Sequence, residues 1–145
     1  MIQLHTQLAR TLPAILLFLT VAGCGGASGD DAPTLPDPVT QGASAVVTPA
    51  SASAARGVSA TFTVVLTAIG GVTIGSVTIN RQYSGISLTQ TSTQTSGSVT
   101  TRTYAVSADN TVPLGVHEIR FVPSVSGATS TPSVTVGTFT LTVTQ

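Results

Sequence analysis

The sequence predicts an all-β domain, an antiparallel sandwich of about seven short strands, and three observations carry that expectation. The 145-residue chain holds 26 Thr and 18 Val, and β-branched side chains fit a pleated surface better than a helix. Apolar and polar residues alternate with a period of two in several segments, the pattern of half-buried strands. Gly, Pro, Asn or Asp interrupts those segments at short intervals, as in folds built from many short strands. No stretch shows a 3.6-residue period, so no substantial helix is expected in the domain.

Residues 45–48 are the first strand candidate. Val58, Ala60, Phe62, Val64 and Leu66 then share one face, with Ser59, Thr61, Thr63 and Thr67 on the other and Val65 as the one mismatch. Gly70-Gly71 reads as a hairpin-type turn into a strand over residues 72–79. Further candidates are residues 86–90, 99–108, 116–122 and 139–143. The breaks between them are Ser84-Gly85, Ser96-Gly97, Asp109-Asn110 and Ser126-Gly127.

The N-terminus has another character. Arg10 closes a short charged start, and residues 12–22 (LPAILLFLTVA) form an apolar run of eleven. A spanning helix needs about 20 apolar residues, so this run is too short for a mature anchor and reads as an export signal. It ends in Val21-Ala22-Gly23-Cys24, which resembles the lipobox of bacterial lipoproteins at all four positions. The resemblance implies cleavage between Gly23 and Cys24, a diacylglycerol on the Cys24 thiol, and attachment to the membrane through acyl chains. Two or three chains anchor stably where one holds marginally. Cys24 is the only Cys in the chain, and a lone exported thiol without such a purpose is uncommon. By the family's sorting rule, Gly25 after the modified Cys points to the outer membrane of the bacterial envelope.

The chain therefore divides into a signal peptide (1–23), a lipidated Cys with a linker (24–43) and a sandwich domain (44–145). The linker is rich in Gly, Pro, Asp and Ser and is expected to be disordered, because it buries too little to offset ordering entropy. Asp30, Asp31 and Asp37 lack the ligand spacing of a calcium loop.

The domain resembles the immunoglobulin-like modules of bacterial surface and secreted proteins. The matching residues are Pro49, Gly57, the run Ser59-Ala60-Thr61-Phe62-Thr63-Val64, Gly70-Gly71, and later Pro113, Gly115, His117, Ile119 and Phe121. His117 departs from the Tyr frequent there. With no Cys pair and no Trp, the domain is not of the antibody type. The fold itself implies no activity.

The chemical inventory of the domain is small. Five basic and five acidic residues give the chain a net charge of zero, so there is no electrostatic footprint for nucleic acid. Catalysis needs a nucleophile, a base and a group to orient it. The domain offers one His, His117, and two carboxylates, Asp109 and Glu118. His117 and Glu118 are adjacent on a predicted strand and point to opposite faces. One His supplies one ligand where zinc needs three or four. His117 is thus expected to be a partly buried imidazole bonded to backbone near a strand start. Glu118 and Arg120 are expected on the outer face, with a cross-strand partner in Arg102, and Asp109-Asn110 is expected to make a turn. No catalytic residue, metal ligand or cofactor is assigned.

The Thr-rich segment 89–103 is the least ordinary feature. Thr89, Thr91, Thr93 and Thr95 recur at period two, so an extended chain would show all four on one face. They and Tyr83, beside the Ser84-Gly85 turn, are the candidate binding surface. The plain alternative is a polar edge strand, open to pairing with another chain. The expected function is a non-enzymatic, lipid-anchored envelope protein with an interaction module for adhesion, envelope assembly or an accessory role, its partner an unidentified envelope protein or glycan. A carbohydrate-binding surface module is the alternative, and an envelope hydrolase a distant third.

Overall fold

The computed structural model describes residues 39–145. The signal segment, the lipobox and the linker up to residue 38 lie outside the described residues. Nine strands follow in order: β1 (Gly42–Thr48), β2 (Ser51–Ala55), β3 (Ala60–Ile69), β4 (Thr73–Arg81), β5 (Ile86–Ser96), β6 (Val99–Ala108), β7 (Gly115–Ser126), β8 (Ser133–Thr135) and β9 (Gly137–Thr144). They form a five-stranded sheet, β5-β6-β3-β1-β8, and a four-stranded sheet, β2-β9-β7-β4. The two pack face to face as a sandwich of the immunoglobulin-like kind.

Four expectations about the fold are corrected. The sheets are mixed rather than purely antiparallel, because β1 pairs with β8 and β2 with β9 in parallel. The count is nine rather than about seven, since the short strands β2 and β8 carry too little alternation to read from sequence. Gly70-Gly71 does not close a hairpin: β3 pairs with β1 and β6, whereas β4 pairs with β7 in the other sheet. Both glycines have positive φ (74° and 77°), so the turn is tight, but it carries the chain between layers. The folded domain also starts earlier than residue 44, because Gly42 and Ala43 belong to β1. Gly42 is buried where the Ser133 backbone crosses it, and a Cβ there would strike the Ser133 carbonyl.

Alternation sorts the side chains. Ala43, Ala45 and Val47 of β1, Phe62, Val64 and Leu66 of β3, and Tyr104 and Val106 of β6 face inward. Ile119 and Phe121 of β7 and Phe139, Leu141 and Val143 of β9 meet them from the other sheet. Phe62 is the hub: its ring stacks on Phe139 at 4.1 Å, lies 5.7 Å from Tyr104 and meets Phe121 edge-on at 5.6 Å. Aromatic pairs of this geometry add about 0.5–1.5 kcal/mol beyond area burial. This cluster fills the centre that a disulfide and Trp occupy in antibody domains.

The N-terminal end of the domain is tied by one side chain. The Gln41 amide donates from Nε2 to the Gly70 carbonyl (3.2 Å). Its Oε1 accepts from the backbone N–H of Thr129 (2.8 Å) and Ser130 (3.2 Å) and from both hydroxyls. The start of β1, the β3–β4 turn and the β7–β8 loop are thus held together.

Candidate functional site

The ionisable groups of the domain are dispersed. His117 sits at the start of β7 and is 4% exposed. Its Nε2 lies 2.7 Å from the Pro113 carbonyl, which makes Nε2 the protonated nitrogen, since a carbonyl only accepts. Among the described residues, Nδ1 is buried without a hydrogen-bond partner. The expected backbone-bonded imidazole is what the chain contains. Tyr83 packs edge-on against it, with ring centroids 5.0 Å apart. The tyrosine is half-buried against the core, so its ring is engaged by the domain rather than freely presented.

Asp109 lies on the loop between β6 and β7. Its Oδ1 accepts from the Thr111 hydroxyl (2.5 Å) and backbone N–H (2.8 Å), the local turn expected of Asp-Asn. These two bonds, the hydroxyl first, hold the exposed carboxyl below its ordinary value of 3.8. Gly85 lies close beside it, and a Cβ there would displace the Asp109 carboxylate and the Thr111 hydroxyl. Arg56 fastens the same loop by donating from Nε (3.1 Å) and Nη2 (2.6 Å) to the Val112 carbonyl.

Glu118 pairs with Arg120 at 2.7 Å, both side chains more than half exposed. The expected partner Arg102 is excluded by topology, because β6 and β7 belong to different sheets. Among the described residues, no group of His, Cys, Asp or Glu could hold a metal ion. A shallow cavity of about 200 Å³ between Val72, Ile74, Thr95 and Thr100 is smaller than ordinary ligand pockets of about 300–1,000 Å³.

The Thr segment forms β5 and the following turn into β6, but its geometry differs from expectation. Gln90 pairs with Tyr104 and Ser92 with Thr103, leaving Thr91 as the extra residue of a bulge. The Thr91 hydroxyl donates back to the Thr103 carbonyl (3.2 Å). A bulge reverses the side-chain phase beyond it. Thr89 therefore faces outward with Ala105, whereas Thr93 and Thr95 turn to the inner side with Arg102 and Thr100. The four threonines do not share a face.

A different array does. Across the outer face of the five-stranded sheet, register aligns Thr48, Thr63, Thr103 and Ser92 in one row. A second row is Val46, Val65, Thr101 and Gln94, and a third is Ser44, Thr67, Val99 and Ser96. Positions repeat at about 4.8 Å across strands and about 6.8 Å along them. The five strands contain one charged residue, Arg102, and it lies on the inner side. On the other sheet, Thr138, Thr140, Thr142 and Thr144 of β9 form an unbroken period-two ladder beside the Glu118–Arg120 pair. That ladder is readable along residues 138–144, whereas the rows require the register of four strands.

No protein-family model matches this chain, and no curated protein matches it.

Proposed function

We propose that the chain is a non-enzymatic lipoprotein of the bacterial cell envelope, in which acyl chains on Cys24 hold the sandwich at a membrane and the sandwich serves as an interaction module. The observation that carries this reading is the position of the only Cys in the chain, at the fourth place of Val21-Ala22-Gly23-Cys24 behind an eleven-residue apolar run. The dispersed ionisable groups support a binding rather than a catalytic role. A glycan ligand is the second reading, and the charge-free hydroxyl rows of the five-stranded sheet favour it over the half-buried Tyr83.

Radiolabelled palmitate fed to producing cells is expected to enter the parent chain and not Cys24→Ala, and that variant is expected to leave the membrane fraction. An unlabelled parent, or a membrane-bound Cys24→Ala, overturns the anchoring. A glycan array probed with the chain and with Thr101→Lys tests the second reading: binding lost in the variant supports it, and a blank array removes it.

A further inference from the structure

We propose that two copies of this chain join along β5, antiparallel about a two-fold axis between Thr91 and Ser92, so that their five-stranded sheets run together. The inference rests on the four sheet edges and does not depend on how the protein is anchored. An exposed edge invites pairing unless it is short, charged, interrupted by Pro or carries a bulge that the partner strand does not match. The edge strand β8 has three residues and β2 five. β4 contains Gly75 and ends in the charged Arg81, and like β5 it has one register shift, here between Ile74 and Val77. β5 has eleven residues with no charge, Pro or Gly, and from Thr89 onward every side chain is exposed.

The backbone groups that β5 offers follow from the hydrogen bonds around β6. Asp109 N–H, just past β6, donates to the Gly85 carbonyl on the β5 side (3.1 Å). The Ala108 carbonyl accepts from Gly57 N–H (2.8 Å) and the Ser98 carbonyl from Ala68 N–H (2.8 Å), both on the β3 side. Odd-numbered residues of β6 therefore bond to β5 and even-numbered ones to β3, as alternation requires. By register, Ser87, Thr89, Ser92, Gln94 and Ser96 turn their backbone groups towards β6. Leu88, Gln90, Thr93 and Thr95 turn theirs to the open edge.

The bulge favours a second copy as the partner. Between Gln90 and Thr93 the open positions are separated by three residues instead of two. An ordinary strand bonds at every second residue, so it spans this step only by leaving one residue of β5 unpaired, as β6 does at Thr91. A second β5 has the same three-residue step. Antiparallel pairing sets Leu88 opposite the second copy's Thr95 and Gln90 opposite its Thr93, with both halves in phase and the two bulges facing each other at the axis. Each pair has its side chains on the inner face, as directly opposed residues must. No charge on either strand opposes the contact.

Disulfide trapping tests the register in the full chain purified in mild detergent, with Cys24→Ser so that introduced thiols are the only ones. Gln90→Cys and Thr93→Cys chains are mixed and oxidised. Directly opposed residues of a hydrogen-bonded pair lie about 5.5 Å apart, within disulfide reach. The mixed dimer is expected at tenfold or greater excess over either homodimer. Equal yields in all combinations, a Thr101→Cys control that cross-links as well, or no cross-link overturns the proposal. Thr93→Pro removes an N–H that β6 does not use, and edge strands tolerate such a Pro. Sedimentation is expected to show at least tenfold weaker self-association for Thr93→Pro with an unchanged thermal midpoint, and undiminished self-association overturns the proposal.

Discussion

The two outer faces of the sandwich are built from the same residue types and present different surfaces. The four-stranded sheet sets the β9 threonines beside Glu118 and Arg120, so its hydroxyls lie in a field of paired charges. The five-stranded sheet has rows of Thr, Ser and Val and no outward charge. A face without charge gains nothing from long-range steering and nothing from salt. Whatever it meets must be held by close packing of methyl groups and hydroxyls. Composition alone does not distinguish the two; the placement of one acid and one Arg does.

The largest effect is expected where the faces share a support. Phe62→Ala removes the ring that joins the sheets through Tyr104, Phe121 and Phe139 and should cost about 3–5 kcal/mol, measured by urea unfolding. A loss below about 1 kcal/mol would show that the layers do not depend on one core.

A smaller effect separates the faces directly. Thr140 lies opposite Glu118, so Thr140→Lys should gain about 0.5 kcal/mol at low ionic strength and lose that gain in high salt. Thr101→Lys enters the uncharged face, where no carboxylate waits, and its stability should be independent of salt. Equal salt dependence in the two variants would break the comparison.

The smallest effect belongs to the loop that caps both sheets at one end. The Asp109 carboxyl lies below its ordinary value because Thr111 donates to it. A lowered folded-state pKa means stability that is present above the unfolded value of about 3.9 and lost as pH falls through the lower folded value. The difference in thermal midpoint between the parent and Asp109→Asn should therefore shrink as pH is lowered through that window. A constant difference would assign the loss to the changed side chain rather than to its charge.

What could be read along the chain was what is local. Phe62, Phe121 and Phe139 reveal themselves by phase, His117 by its phase with Ile119, and Asp109-Asn110 by turn chemistry, and each sits where that logic puts it. The sheet to which a strand belongs is not local. Gly70-Gly71 has the residues of a hairpin turn, yet long-range pairing sends β3 and β4 to different layers. The bulge at Thr91 carries no Gly, Pro or charge to announce it, and it alone undoes the single-faced threonine array. The hydroxyl rows were invisible for a related reason, since each draws its members from four strands whose register only the folded domain defines.

The Gln41 side chain has a mechanical meaning. A pull arriving from the N-terminal side meets this amide first, and its bonds to Gly70, Thr129 and Ser130 spread the load over two loops. Behind it, β1 is paired to β3 from Gly42 to Thr48, and antiparallel ladder bonds lie across the strand. Force along β1 must shear that ladder as a whole instead of opening it one bond at a time. A load on this end of the domain is thus resisted along the length of β1, as a rope is held by a cleat rather than by a knot at its tip.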